Sequence, residues 1–246
     1  MGVVYEAIDT TNGGRVALKT LAAMDPRRVL GFKDEFRSLS GFSHPNVATL
    51  YELLSTDDQW FITMEFIDGV SFLESLWTRE TAKGAQAWSQ PTDDTPTLAL
   101  ADAAEALSPA RRAGTLGSLH RLREAARQLA EAVAALHAAG ILHRDLKPSN
   151  VMIGPEDRLV VLDFGLVERL DKRVVEGPAS LSGTIPYMAP EQAAGRSLNE
   201  AADWYAVGVM LYEALSGQRP FEGPAAKVLL DKQNLNPPPL PPAVAE

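Results

Sequence analysis

The sequence contains no cysteine. That excludes disulfides, thiol nucleophiles and thiolate metal sites, and it is compatible with a reducing cytoplasm. No apolar run approaches the roughly 18 residues that a membrane span needs, so no membrane segment is expected. The first residues lack a basic stretch followed by an apolar one, so no secretory signal is visible. Positive charge is in deficit. Lys and Arg number 23 against 32 Asp and Glu, a net charge of −9, which argues against nucleic acid as a partner. What remains is an ordinary soluble composition, 46% hydrophobic and 22% charged over 246 residues, enough for one large domain or two small lobes.

The pattern changes along the chain. Val3 to Ile8, Arg15 to Leu21, Val47 to Leu54 and Trp60 to Phe66 read as strands, with the turn signal Asn12-Gly13-Gly14 between the first two. Between the second and third, Phe32, Phe36 and Leu39 recur at helical spacing. From Leu119 onward helices dominate. Leu119, Leu122, Leu129, Val133 and Leu136 form one stripe that Gly140 ends. Asp203 to Ser216 forms a second helix, with Trp204, Val207, Leu211 and Leu215 as its apolar face and Gly217 as its stop. "VMI" and "LVVLDF" read as a short hairpin between them. Residues 78–118 are polar and proline-interrupted, an insertion without an assignable role. The tail 237–246 is extended and proline-rich.

Chemistry concentrates in "LHRDLKPSNVMI", followed by "VLDFGLV" and "GTIPYMAPEQ". Together with Lys19 in "VALK" and Glu35, and in that order, these stretches resemble the protein kinase superfamily, in its bacterial-type serine/threonine branch. The resemblance implies an α+β, two-lobed protein kinase-like fold. A small antiparallel-sheet N-lobe with one helix would span 1–67 with the hinge. A larger, mainly helical C-lobe would span 68–246.

It also implies ATP and Mg2+ as cofactors and a protein as substrate. Asp145 would accept the substrate hydroxyl's proton, and Lys147 would neutralise charge on the transferred phosphoryl. Asn150 and Asp163 would supply hard oxygen ligands to magnesium. Lys19 would reach the phosphates, held by Glu35. Val4 and Ala17 would roof the adenine slot over a floor of Met152, with Met64 as gatekeeper and the backbone of Glu65 and Ile67 as hinge. Arg144 would read a phosphate on Ser180, or on Ser182, while Thr184 would bond near Asp145. His143 is expected to be structural, and Asp203 to bond the backbone of the His143–Arg144 turn.

Two departures from the family pattern stand out. Only Gly2 remains of the three glycines that cover the phosphates. No arginine follows Phe221 to pair with Glu191. A kinase domain truncated at both ends, within a protein carrying further domains, is therefore the expectation. A non-catalytic fragment or pseudokinase is the alternative, and the retained Lys19, Asp145, Asn150 and Asp163 weigh against the latter.

Overall fold

In the computed structural model the described residues are 3–21, 39–56, 60–78, 115–116, 118–162 and 184–240, with Lys33, Phe36 and Arg37. Four antiparallel strands open the chain: β1 (Val4–Ile8), β2 (Arg15–Leu21), β3 (Leu50–Ser55) and β4 (Trp60–Glu65). They lie in the order β1-β2-β4-β3. Lys33, Phe36, Arg37, Leu39 and Ser40 are helical, and Phe36 and Leu39 are buried.

A short strand β5 (Val70–Ser71) follows, then helix α1 (Phe72–Leu76) and β6 (Trp77–Thr78). β6 pairs with β7 (Thr115–Leu116), so the two ends of the expected insertion meet as a ladder. Helix α2 (Leu119–Ala138) leads to the hairpin β8 (Val151–Ile153) and β9 (Leu159–Val161). β5 joins that hairpin to give the order β5-β8-β9. Helices α3 (Pro190–Ala193), α4 (Ala201–Ser216) and α5 (Ala225–Asn234) complete the larger lobe.

The helix ends follow their sequence signals. Gly140 adopts φ 74 after α2. Its N–H bonds His137 O at 2.9 Å, and the N–H of Ile141 bonds Leu136 O at 2.9 Å. This paired closure favours glycine, which has no Cβ to strain. Gly217 closes α4 with φ 75.

Three expectations are corrected. The third strand begins at Leu50, not Val47, because residues 46–48 pair elsewhere. Ala48 N–H bonds Val161 O, and Val161 N–H bonds Asn46 O, each at 2.9 Å. Val47 thus bridges the small lobe to β9. Leu119 is 54% exposed; as the first residue of α2 it precedes the buried stripe, which starts at Leu122. Trp204 is 39% exposed. The buried side of α4 is instead lined by Ala202, Ala206, Val207, Val209, Met210 and Ala214. Small side chains there let neighbouring elements approach closely.

The lobes are joined by polar bonds as well as by packing. Asn46 Nδ2 donates to Gln128 Oε1 and to Leu159 O, both at 2.8 Å, and Leu159 N–H donates to the same Gln128 oxygen at 2.9 Å. Arg158 donates to Pro45 O at 2.8 Å and pairs with Glu65 at 2.6 Å. Among the described residues no helix is long and apolar enough to cross a membrane.

Gly69 marks where the link between the lobes rests on β8. A Cβ there would lie 2.4 Å from Ile153 O and 2.8 Å from Ile153 C, both backbone atoms. Gly69→Ala is expected to lower stability by about 1–3 kcal/mol through overpacking. A urea-unfolding midpoint unchanged from the parent would contradict this.

Candidate active site

The site is built where α2, the β8–β9 hairpin and the sheet of the small lobe converge. Directly paired residues of antiparallel strands share a face. Val4 pairs with Lys19, Lys19 with Ile62, and Ala17 with Met64. The expected roof, gatekeeper and phosphate-reaching residues therefore lie on one face of the sheet. Ala17 and Met64 are buried. Ile67 lies over the residue that follows β8, since a Cβ on Gly154 would sit 3.4 Å from its Cγ2. Met152, in β8, pairs with Ser71 and Val160. Glu65 directs its N–H to Thr49 O at 2.8 Å, so that N–H is not available to a ligand.

The loop after α2 carries the densest chemistry. The carboxylate of Asp203, 1% exposed, accepts from His143 N–H at 2.9 Å and from Arg144 N–H at 2.7 Å. Asp203 lies in the first turn of α4, whose N-cap is Glu200. It therefore caps the loop, not its own helix. These bonds fix Arg144 at φ 68, a left-handed conformation that a non-glycine residue adopts at a cost of about 1–3 kcal/mol. His143 is wholly buried. Its Nδ1 accepts from Asp145 N–H at 3.3 Å, so Nε2 carries the hydrogen and donates to Leu162 O at 2.8 Å.

Asp145 is thus held by its backbone, and its side chain is held on one side only. Oδ2 accepts from Asn150 Nδ2 at 3.0 Å and lies 3.2 Å from Lys147 Nζ. Oδ1 is buried and has no hydrogen-bond partner among the described residues. Lys147 also donates to Thr184 Oγ1 at 3.3 Å, which brings Thr184 to the Asp145 cluster. Asn150 uses its amide nitrogen twice, on Asp145 O at 2.8 Å and on Oδ2. Its oxygen is left as a hard donor of the kind a divalent cation takes. Leu162, just before Asp163, is held from both sides, by His143 and by Asn150 O at 2.8 Å.

The structure brings together Asp145, Lys147, Asn150, Arg144 and Thr184. It sets Lys19, Val4, Ala17 and Met64 on one sheet face. Gly2, Glu35, Asp163, Ser180 and Ser182 lie outside the described residues, as does Phe164, which His143 was expected to support. Sequence reasoning missed several polar groups. His137 Nε2 lies 2.8 Å from Asp203 Oδ2. Tyr187 donates its hydroxyl to Glu213 at 2.5 Å. Gln192 donates to Arg144 O at 2.9 Å. His137 carried a weak signal, as a polar residue at the end of an otherwise apolar stripe. Glu213, in the interior of a helix with a long apolar pattern, carried another.

This two-lobed architecture and its loop define a class, and a family model described as protein kinase domain matches residues 1–236. The chain belongs to that family. It is 33% identical, over 259 residues, to the serine/threonine-protein kinase PknA of Mycobacterium tuberculosis (strain ATCC 25177 / H37Ra), covering all of this chain and 52% of that protein. It is 30% identical to the serine/threonine-protein kinase PrkC of Bacillus subtilis (strain 168), covering 92% of this chain and 30% of that one. The chain therefore spans about half the length, or less, of these relatives. A crystal structure of Rad53 1–466 in complex with AMP-PNP shares the fold, with a TM-score of 0.64 and 24% identity, over 93% of this chain and 48% of that one.

Asp203 is expected to be indispensable to the loop. Asp203→Ala removes the acceptor for two buried backbone N–H groups, and hydrogen bonds to a charged group contribute about 1.5–3 kcal/mol each. Denaturant unfolding should report a loss of about 3 kcal/mol or more. A loss below about 1 kcal/mol, the scale of a neutral hydrogen bond, would contradict the role given to this carboxylate.

Proposed function

We propose that this domain transfers the γ-phosphoryl group of ATP to serine or threonine hydroxyls of a protein substrate. The observation that carries this reading is the asymmetry of Asp145. One carboxylate oxygen is engaged by Lys147 and Asn150, and the other is buried and unpartnered among the described residues. A carboxylate held in this way suits an incoming hydroxyl, which it can orient and from which it can take the proton.

The hydroxyl oxygen attacks the γ-phosphorus. Its proton goes to Asp145 Oδ1, the bond from the γ-phosphorus to the bridging oxygen breaks, and ADP leaves. Lys147, beside Asp145, balances the negative charge of the transferred group. Lys19 takes the phosphates that remain, with Glu35 as its partner. Val4, Ala17, Met64 and Met152 enclose the base, and the backbone at Glu65 and Ile67 meets its edge. Magnesium, held by the Asn150 oxygen and Asp163, supplies charge neutralisation at the phosphates. Serine/threonine-protein kinases at about 30% identity support the class of acceptor.

Asp145→Asn should leave nucleotide affinity near that of the parent and lower phosphate transfer by about 100-fold or more, the usual scale of a lost general base. Lys19→Met should weaken both. Nucleotide titration and incorporation of labelled phosphate measure the two quantities. Transfer at parental rates in Asp145→Asn would overturn the reading.

Control of this activity is proposed to run through Ser180, with Ser182 as the second candidate. A phosphate there adds nearly two negative charges, which the Arg144 guanidinium can pair. Mass spectrometry after incubation with ATP should find phosphate on one of them. An active sample with neither modified would exclude this mode of control.

A further inference from the structure

Lys232, in α5, is 5% exposed although it is a lysine. Its Nζ donates to Ile185 O at 2.6 Å, Pro186 O at 2.7 Å and Met188 O at 2.6 Å. These carbonyls occupy all three donors of an ammonium, and a neutral amine could satisfy only two of them. The Tyr205 ring lies 5.3 Å away and adds a cation–π attraction. Burial, with repulsion from Arg219, draws the pKa of the ammonium down to about 7. The carbonyls and the ring act in the opposite direction, since both favour the charged form.

Apolar packing delivers the lysine to this place. Val228 of α5 packs with Ile185 and Phe221 in a small core separate from the main one. The backbone at 185–188 is therefore fixed from beneath by α5. Tyr187 is tied to α4 through Glu213. The flanks of the same segment touch the catalytic loop. Thr184 accepts from Lys147, which pairs with Asp145, and Gln192 donates to Arg144 O. A protein chain offering a hydroxyl to Asp145 must pass this segment.

We propose that Lys232 is a positioning residue for the protein acceptor, holding the backbone of Ile185 to Met188 as the surface on which the acceptor lies beside Asp145. The proposal rests on the phosphotransferase reading given above. Without the ammonium three buried carbonyls lose their donor and must turn toward water. That turn displaces Thr184 from Lys147 while leaving the nucleotide side of the site untouched.

The test uses the 246-residue chain with dephosphorylated casein as the probe acceptor, comparing the parent with Lys232→Met and Lys232→Arg. Lys232→Met should raise the KM for casein by about tenfold or more, with the KM for ATP within about twofold, a split that a general loss of folding would not give. Lys232→Arg, which keeps charge and donors, should recover part of the loss. Amide exchange at Tyr187 and Met188, whose N–H groups bond Thr184 O at 3.0 and 3.1 Å, should quicken in Lys232→Met. Should Lys232→Met not fold, Lys232→Gln carries the same readouts. Unchanged casein KM and unchanged exchange at these amides would overturn the proposal. Equal losses toward casein and ATP would overturn it as well, and would leave Lys232 a packing residue. A parent that transfers no phosphate to casein would count against the phosphotransferase reading and the acceptor role together. Exchange at Tyr187 and Met188 would then still decide whether Lys232 holds the segment.

Discussion

The arrangement around Asp145 depends on a carboxylate that lies beneath it. Asp203 is a buried charge, and burying a charge is costly unless hydrogen bonds replace the lost water. Here they do. Two backbone N–H groups from consecutive residues and one imidazole converge on its two oxygens. The return on that cost is conformational. The chain leaves α2 and must reverse within a few residues to enter the hairpin, and Arg144 takes a left-handed conformation to do so. Only acceptors placed on the same side as both amide groups can hold such a turn. A rigid helix supplies that position better than a loop, which is why the residue beneath the loop belongs to α4.

From that turn, order spreads in two directions. Toward the hairpin, His143 uses one ring nitrogen on Asp145 N–H and the other on Leu162 O. A single side chain thereby sets the spacing between the loop and the end of β9. Toward the helices, Lys147 and Gln192 reach the segment that begins at Thr184. That segment has its own supports, a charged one from Lys232 and a charge-assisted one from Glu213. No single bond is large. Together they link the loop, α3, α4 and α5 through directional contacts, and such networks specify one geometry where apolar packing alone would tolerate several.

How much of this was legible in the sequence follows from the range of each signal. Periodicity and turn residues are local, so β2, α2, the β8–β9 hairpin and the two glycine stops were readable at nearly their observed bounds. The motif around Asp145 was readable because Asp145, Lys147 and Asn150 are a few residues apart and meet in one loop. Bonds that join distant parts of the chain left little trace. Residues 46–48 look like the start of a strand because Val47 is β-branched, yet their backbone pairs with β9. Trp204 looks like a core residue, yet it covers the edge of His137, with ring centroids 5.8 Å apart. The absence of an arginine after Phe221 was visible. That a lysine of α5 would instead take three carbonyls was not, because backbone acceptors have no sequence signature.

The joint between the lobes follows the same logic as the loop. Asn46, Gln128 and Leu159 form a buried polar knot, and Arg158 binds both Pro45 and Glu65. Glu65 ends the strand that carries Met64, and Arg158 lies in the turn between β8, which carries Met152, and β9. One ion pair therefore ties the strand behind the expected adenine slot to the hairpin that floors it. An apolar contact at this place would permit sliding, because its energy changes little with small shifts. Hydrogen bonds lose strength steeply with angle, so this joint resists changes of register between the lobes. The separation of Met64 and Met152 is thus set by polar geometry outside the slot, and the slot itself is left free to be apolar.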